Sequence, residues 1–109
     1  MATRFVYMTA SAMDEAKKIG RVLVEKRLAA CINLIDAMHS IYWWEGTIQE
    51  SREVVLIAKT TSRLVPALIA AVKEIHSYEC PCIVSLPIET GNPPFLKWIS
   101  DETDDPSAQ

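Results

Sequence analysis

The sequence predicts a single α+β domain in the ferredoxin-like βαββαβ arrangement, with a long β-hairpin at its centre and one further helix at the C-terminus. Three observations lead there. Apolar or alternating stretches of strand length are interleaved with two stretches of helical periodicity, in the order strand, helix, strand, strand, helix, strand, which is the split βαβ pattern. The 109 residues leave room for one core, because single domains usually run to ~100–200 residues. Half of the residues are apolar and 23% are charged, a composition too hydrophobic for disorder and too evenly interrupted for a membrane span.

Arg4 to Thr9 alternate and predict the first strand. Ser11-Ala12-Met13-Asp14 matches a capping box, in which the serine oxygen accepts an orphan backbone N–H and acids favour the positive end of the helix dipole. Ala12, Ala16, Ile19 and Leu23 then recur at helical spacing opposite Lys17, Lys18, Arg21 and Glu25, predicting a helix to about Leu28. Cys31 to Ile35 reads as a second strand that continues, after a polar break at Asp36, through Ser40 to Trp44, with Glu45-Gly46 as a candidate bulge. Glu50-Ser51-Arg52 reads as a turn and Glu53 to Thr60 as a very apolar third strand, the two arms of the hairpin. Ser62 is a candidate cap for a second helix, which carries Leu64, Leu68, Val72 and Ile75 on one stripe, accepts Pro66 near its start and ends at His76. Pro81 to Ile88 predicts a fourth strand, with Pro87 at a strand end or on an edge because proline cannot donate to a ladder. Gly91 to Pro94 is a loop, Phe95 to about Glu102 a short helix, and the tail from about 103 is expected to fray.

In this arrangement helices cover one sheet face, and the other would meet water with alternating strands. The third and fourth strands instead are apolar at successive positions, so something must cover the second face. If each exposed strand left ~200–300 Å² of apolar surface bare, the penalty would be about 5–8 kcal/mol at ~25 cal/mol per Å², comparable to the stability of a whole domain. Closed symmetry among identical chains is the usual solution. The alternative is that the C-terminal helix folds under the sheet and covers it within one chain.

A formal net charge of −3 and scattered lysines and arginines give no basic stripe for phosphates, so nucleic acid is not an expected partner. The first residues lack the charged region, apolar block and cleavage site of a secretory signal, and no segment reads as a membrane anchor, so a cytoplasmic location is expected. Cys31, Cys80 and Cys82 are an odd set, better read as thiols than as a disulfide framework in a reducing compartment. Cys80 and Cys82 sit too close to bridge without strain.

No P-loop, GxGxxG after a strand, HExxH, GxSxG or paired-cysteine zinc spacing is present, which excludes most standard enzymes. What remains is a scatter of soft or titratable groups. Cys31 is a candidate ligand for a soft metal, although beside Ala29-Ala30 it reads first as a small core residue. His76 at a helix end, followed by Ser77-Tyr78-Glu79, is a ligand or general acid/base candidate or simply a helix cap. In Cys80-Pro81-Cys82 an extended backbone would turn both sulfurs to one face; packing is the simpler reading, and a zinc site would need donors from a second subunit. Tyr42, Trp43 and Trp44 read as interface or core aromatics with ligand stacking as the alternative. Lys59 is either a snorkelling surface residue or the cation that meets Glu79 or an anionic ligand.

Taken together, the chain resembles the CutA family of divalent-cation tolerance proteins. The likeness runs nearly the whole length and is carried by Leu28-Ala29-Ala30-Cys31-Ile32-Asn33, by Ser40-Ile41-Tyr42-Trp43-Trp44-Glu45-Gly46-Thr47-Ile48, by Glu53-Val54 through Lys59-Thr60, by His76-Ser77-Tyr78-Glu79, by Leu86-Pro87-Ile88, and by Phe95, Leu96 and Trp98-Ile99. The resemblance implies the ferredoxin-like fold over residues 1–109, a tight PII-like homotrimer, a link to copper and other divalent cations without an obligatory cofactor, and no agreed enzymatic reaction. It further implies Cys31 and His76 as metal contacts, and Tyr42, Trp44, Lys59, Tyr78 and Glu79 around an intersubunit cleft. Two positions depart from the family pattern: Ser77 stands where proline is usual, and Cys82 where an acid is common. Two functions are therefore expected to compete, weak metal binding at subunit boundaries and a PII-like sensor that takes a small anion.

Overall fold

A computed structural model describes residues 2–104. The elements are β1 (Thr3–Ala10), α1 (Met13–Glu25), β2 (Cys31–Trp44), β3 (Thr47–Thr61), α2 (Val65–Ile75), β4 (Ile83–Pro87) and α3 (Pro93–Asp101). The strands form one sheet in the order β2-β3-β1-β4, antiparallel throughout, so the predicted ferredoxin-like α+β fold is the one observed. β4 is an edge strand and ends at Pro87, as the missing proline N–H requires.

Strand alternation divides the sheet into two unlike faces. Val6, Met8 and Ala10 stand opposite Ala58, Leu56 and Val54, and all six are buried together with Ala16, Ile19 and Leu23 of α1 and Leu68 and Val72 of α2. This is the core. At Gly20 α1 lies close against β2, since a Cβ there would stand 3.0 Å from Ile32 Cγ2. The opposite face carries Phe5, Tyr7 and Thr9 of β1 against Lys59, Ile57 and Val55 of β3, with Cys31, Asn33 and Ile35 of β2 and Val84 and Leu86 of β4 in register. Successive residues of Val54-Val55-Leu56-Ile57-Ala58 therefore serve both faces, as their unbroken apolar run predicted. α3 packs against β3 and β1 and buries Ile99, yet Ile35, Val84 and Leu86 remain 53%, 50% and 52% exposed. The alternative in which the C-terminal helix covers the second face within one chain is therefore not realised.

Several boundaries differ from the sequence reading, each for a local reason. α1 stops at Glu25 because Arg27 adopts a left-handed φ of 63°, and the Arg27 and Leu28 N–H groups donate to Val24 O and Leu23 O in a Schellman arrangement that uses no glycine. Its start lacks the expected side-chain cap; the Ser11 hydroxyl donates instead to the Glu15 carboxylate at 3.1 Å, so the acid that matters is Glu15 and not Asp14. Ser62 likewise caps nothing: Ser62–Leu64 form a 3₁₀ turn that leads into α2. The hairpin turns at Glu45-Gly46, with φ of 49° and 81°, as a two-residue type I′ loop whose twist suits the strands. Glu50-Ser51-Arg52, expected as the turn, is strand paired with Ile41, Ser40 and His39. At the C-terminal end the Thr103 hydroxyl donates to Ile99 O at 2.9 Å and Asp104 N–H to Arg27 O at 2.8 Å; the rest of the tail expected to fray, residues 105–109, lies outside the described residues.

Candidate functional site

The site begins with a bulge. Ile35 pairs with Val55, but the next registered pair is Met38 with Glu53, so β2 carries one extra residue. Ala37 takes a left-handed φ of 62° there, and its N–H donates to the Asp36 carboxylate at 2.7 Å. A one-residue shift exchanges the faces of everything downstream. It turns Met38, Ser40, Tyr42 and Trp44 to the open face and leaves His39, Ile41 and Trp43 on the other. The polar break read at Asp36 is thus the device that aims the aromatic arm.

The second wall is the segment from His76 to Cys82, which links α2 to β4. His76 has a side chain only 1% exposed. Its Nδ1 accepts the Tyr78 N–H at 3.1 Å, so Nε2 carries the proton and donates to Thr9 O at 2.7 Å. Glu15 accepts from Ser77 N–H at 2.7 Å and Ser77 Oγ at 3.0 Å, besides Ser11. Burial opposes ionisation of Glu15, but these hydrogen bonds outweigh it and hold its carboxyl below the usual range. Ser77 supplies an N–H that a proline at this position would lack.

Between the two walls lies a groove of about 760 Å³ lined by Tyr7, Thr9 and Glu53 on the sheet side, Met38, Tyr42 and Trp44 on the hairpin arm, and Tyr78, Glu79, Cys80 and Cys82 on the linking segment. The Tyr78 hydroxyl donates to Glu53 at 2.8 Å; burial first, then that hydrogen bond and the Glu53 charge, raise its phenol well above the ordinary range. Tyr7 donates to the Met38 sulfur at 3.4 Å, and burial followed by the charges of Cys82 and Glu53 raises it too. Burial and the Glu53 charge push the Cys82 thiol up.

Of the residues expected at the cleft, Tyr42, Trp44, Tyr78 and Glu79 line this groove, and Cys80 and Cys82 join them. Lys59 does not: it donates to Asn33 at the far end of β3. Nor does one chain bring Cys31 and His76 together. Cys31 pairs with Lys59, whereas His76 reaches Thr9, whose partner is Val55, four residues away and about 13 Å along the strand at ~3.3 Å per residue. Both His76 nitrogens are already engaged, so ligation would cost one of those bonds. Tyr7, Met38 and Glu53 were not foreseen; a lone acid heading the most apolar strand, with the parity of Val55 and Ile57, is the signal that pointed to Glu53. Among the described residues no three His, Cys, Asp or Glu side chains converge on a common point, so these residues of one chain do not form a four-ligand metal centre.

Residues 4–102 match the family of CutA1 divalent ion tolerance proteins. The chain belongs to that family. It is 52% identical over 89 residues to the mouse protein CutA, covering 82% of this chain and 50% of the relative, so it spans about half the length of that mammalian protein. The crystal structure of rice CutA1 superposes with a TM-score of 0.93 at 35% identity, covering 96% of each chain. The structure of an Archaeoglobus fulgidus protein, described as a periplasmic divalent cation tolerance protein CutA, gives a TM-score of 0.90 at 41% identity, covering 94% of this chain and 99% of that one. Among the described residues no helix is long and apolar enough to cross a membrane.

Proposed function

We propose that the chain works as a homotrimer that binds copper or another divalent cation weakly where copies meet, a binding role in cation tolerance and not a catalytic one. The observation that carries this reading is the open sheet face, where Ile35, Val84 and Leu86 stand half exposed on two edge strands and beside the groove. Covering that face with identical chains removes its hydration cost. The same step supports shared donors, because one chain alone offers an incomplete set and Cys31 lies at the sheet edge that a neighbour would meet. His76 contributes in this reading only by releasing Tyr78 N–H or Thr9 O. Three free thiols suit a reducing compartment such as the cytoplasm. The anion-binding sensor has less support here, since the groove carries Glu53 and Glu79 and no lysine or arginine.

Sedimentation equilibrium with calorimetric copper titration of the reduced protein tests the proposal. A trimer is expected, dissociated by Leu86→Glu, with copper uptake lowered by Cys31→Ser and His76→Ala and lost on dissociation. A stable monomer at micromolar concentration, or uptake unchanged in both donor variants, overturns the corresponding half of it.

A further inference from the structure

We infer that Cys80 and Cys82 form a two-coordinate site for a soft monovalent d¹⁰ cation, Cu(I) foremost, held within one chain on the wall of the groove. This rests on the cation-tolerance reading and names a donor pair and an ion class that the reading leaves open.

Both thiols are free and exposed, and both line the same groove. With a single residue between them a mutual disulfide is strained, so the pair stays a dithiol under mild oxidation. A third sulfur lines the same groove: Met38 stands on the hairpin arm and accepts from Tyr7. Ligand count then selects the ion. Structural zinc asks for four donors and calcium or magnesium for about six oxygens, and no such convergence exists among the described residues. A monovalent d¹⁰ ion is content with two thiolates in line, and soft sulfur is its preferred partner. The two carboxylates of the groove, Glu53 and Glu79, raise the local concentration of any cation.

The step balances as Cu(I) plus two thiols giving a bis-thiolate cuprate and two released protons, with no change of oxidation state. Pro81 restricts the backbone between the donors, which limits the entropy lost on chelation.

The test titrates the reduced chain with Cu(I) under anaerobic conditions, against a competing chromogenic Cu(I) chelator. Ag(I) serves as a redox-inert second probe and Zn(II) as a control. One Cu(I) per chain and two protons per ion are expected, with sulfur-only scattering around copper in X-ray absorption. Cys80→Ser and Cys82→Ser, both conservative and exposed, are each expected to weaken retention by about 100-fold with an unchanged urea midpoint, while Lys17→Ala, exposed on α1 and outside the groove, leaves it intact. Retention that survives Cys80→Ser with Cys82→Ser but falls with Cys31→Ser overturns this site and leaves the broader cation reading standing. A wild-type chain that holds neither Cu(I) nor a divalent ion brings down both, and Zn(II) held as tightly as Cu(I) overturns the two-coordinate assignment.

Discussion

The two faces of the sheet are made from the same strands yet are stabilised in different ways. On the helix side, residues such as Val6, Leu56 and Ala58 are completely buried by α1 and α2 of their own chain. On the other side, residues of equal hydrophobicity one position along, Ile57 beside Leu56 and Val84 beside Ile83, look onto a surface that their own chain leaves partly bare. Burial that is finished within a chain makes stability independent of concentration, whereas burial left to other copies makes it depend on association.

The sharpest way to break that comparison is to truncate the two neighbours separately. Leu56→Ala removes a side chain with no exposed surface and is expected to cost about 2–5 kcal/mol in urea unfolding at any protein concentration. Ile57→Ser, on the opposite face between Tyr7 and Asn33, is expected to lower the urea midpoint mainly at low protein concentration, through weaker association. Equal, concentration-independent losses from both substitutions would remove the distinction between the faces.

A smaller effect is expected at the clasp that joins the two sides. Glu15 belongs to α1, but its carboxylate grips Ser77 and so holds the loop that walls the groove. Its folded pKa lies below the ordinary carboxyl value of 4.5. The stabilisation is therefore complete above the unfolded value and is lost as pH falls through the lower, folded one. Glu15→Gln is expected to cost about 1–2 kcal/mol at pH 7, with the difference from the parent chain vanishing as the pH is lowered through that window. A difference that stays constant from pH 7 to pH 2 would mean that the carboxylate's charge has no part in the clasp.

How much of this was legible in the sequence follows from the range of the forces involved. Element order, the two-sided character of Val54 to Ala58 and the edge position of Pro87 are consequences of periodicity and of one missing N–H, and the sequence carried them directly. The groove was half legible: Tyr42, Trp44, Tyr78 and Glu79 were marked by the family resemblance, but which way the hairpin aromatics point depends on the single extra residue at Ala37. No periodicity rule counts a bulge whose only sign is an aspartate before an alanine. Lys59, which the resemblance placed around an intersubunit cleft, donates to Asn33 of its own chain and stands outside the groove that a single chain forms. Cys31 and His76, joined by motif, are separated by register within one chain.

Register also governs the smallest expected effect. The turn that closes the hairpin needs positive φ at both central residues, and Gly46 meets this freely while Glu45, at φ 49°, pays a steric cost for its Cβ. Asparagine tolerates that region far better and is favoured before glycine in type I′ loops. Glu45→Asn is therefore expected to stabilise the chain by about 0.5–1 kcal/mol, raising the urea midpoint without changing its slope. The Thr47 hydroxyl, which donates to Trp44 O at 3.3 Å, keeps its partner in the variant, and the alternation that presents Tyr42 and Trp44 to the groove stays as it is. If the midpoint instead falls, the positive φ at position 45 is not intrinsic to the hairpin, and the loop in solution adopts another turn, with a different register for the arm that carries the aromatics.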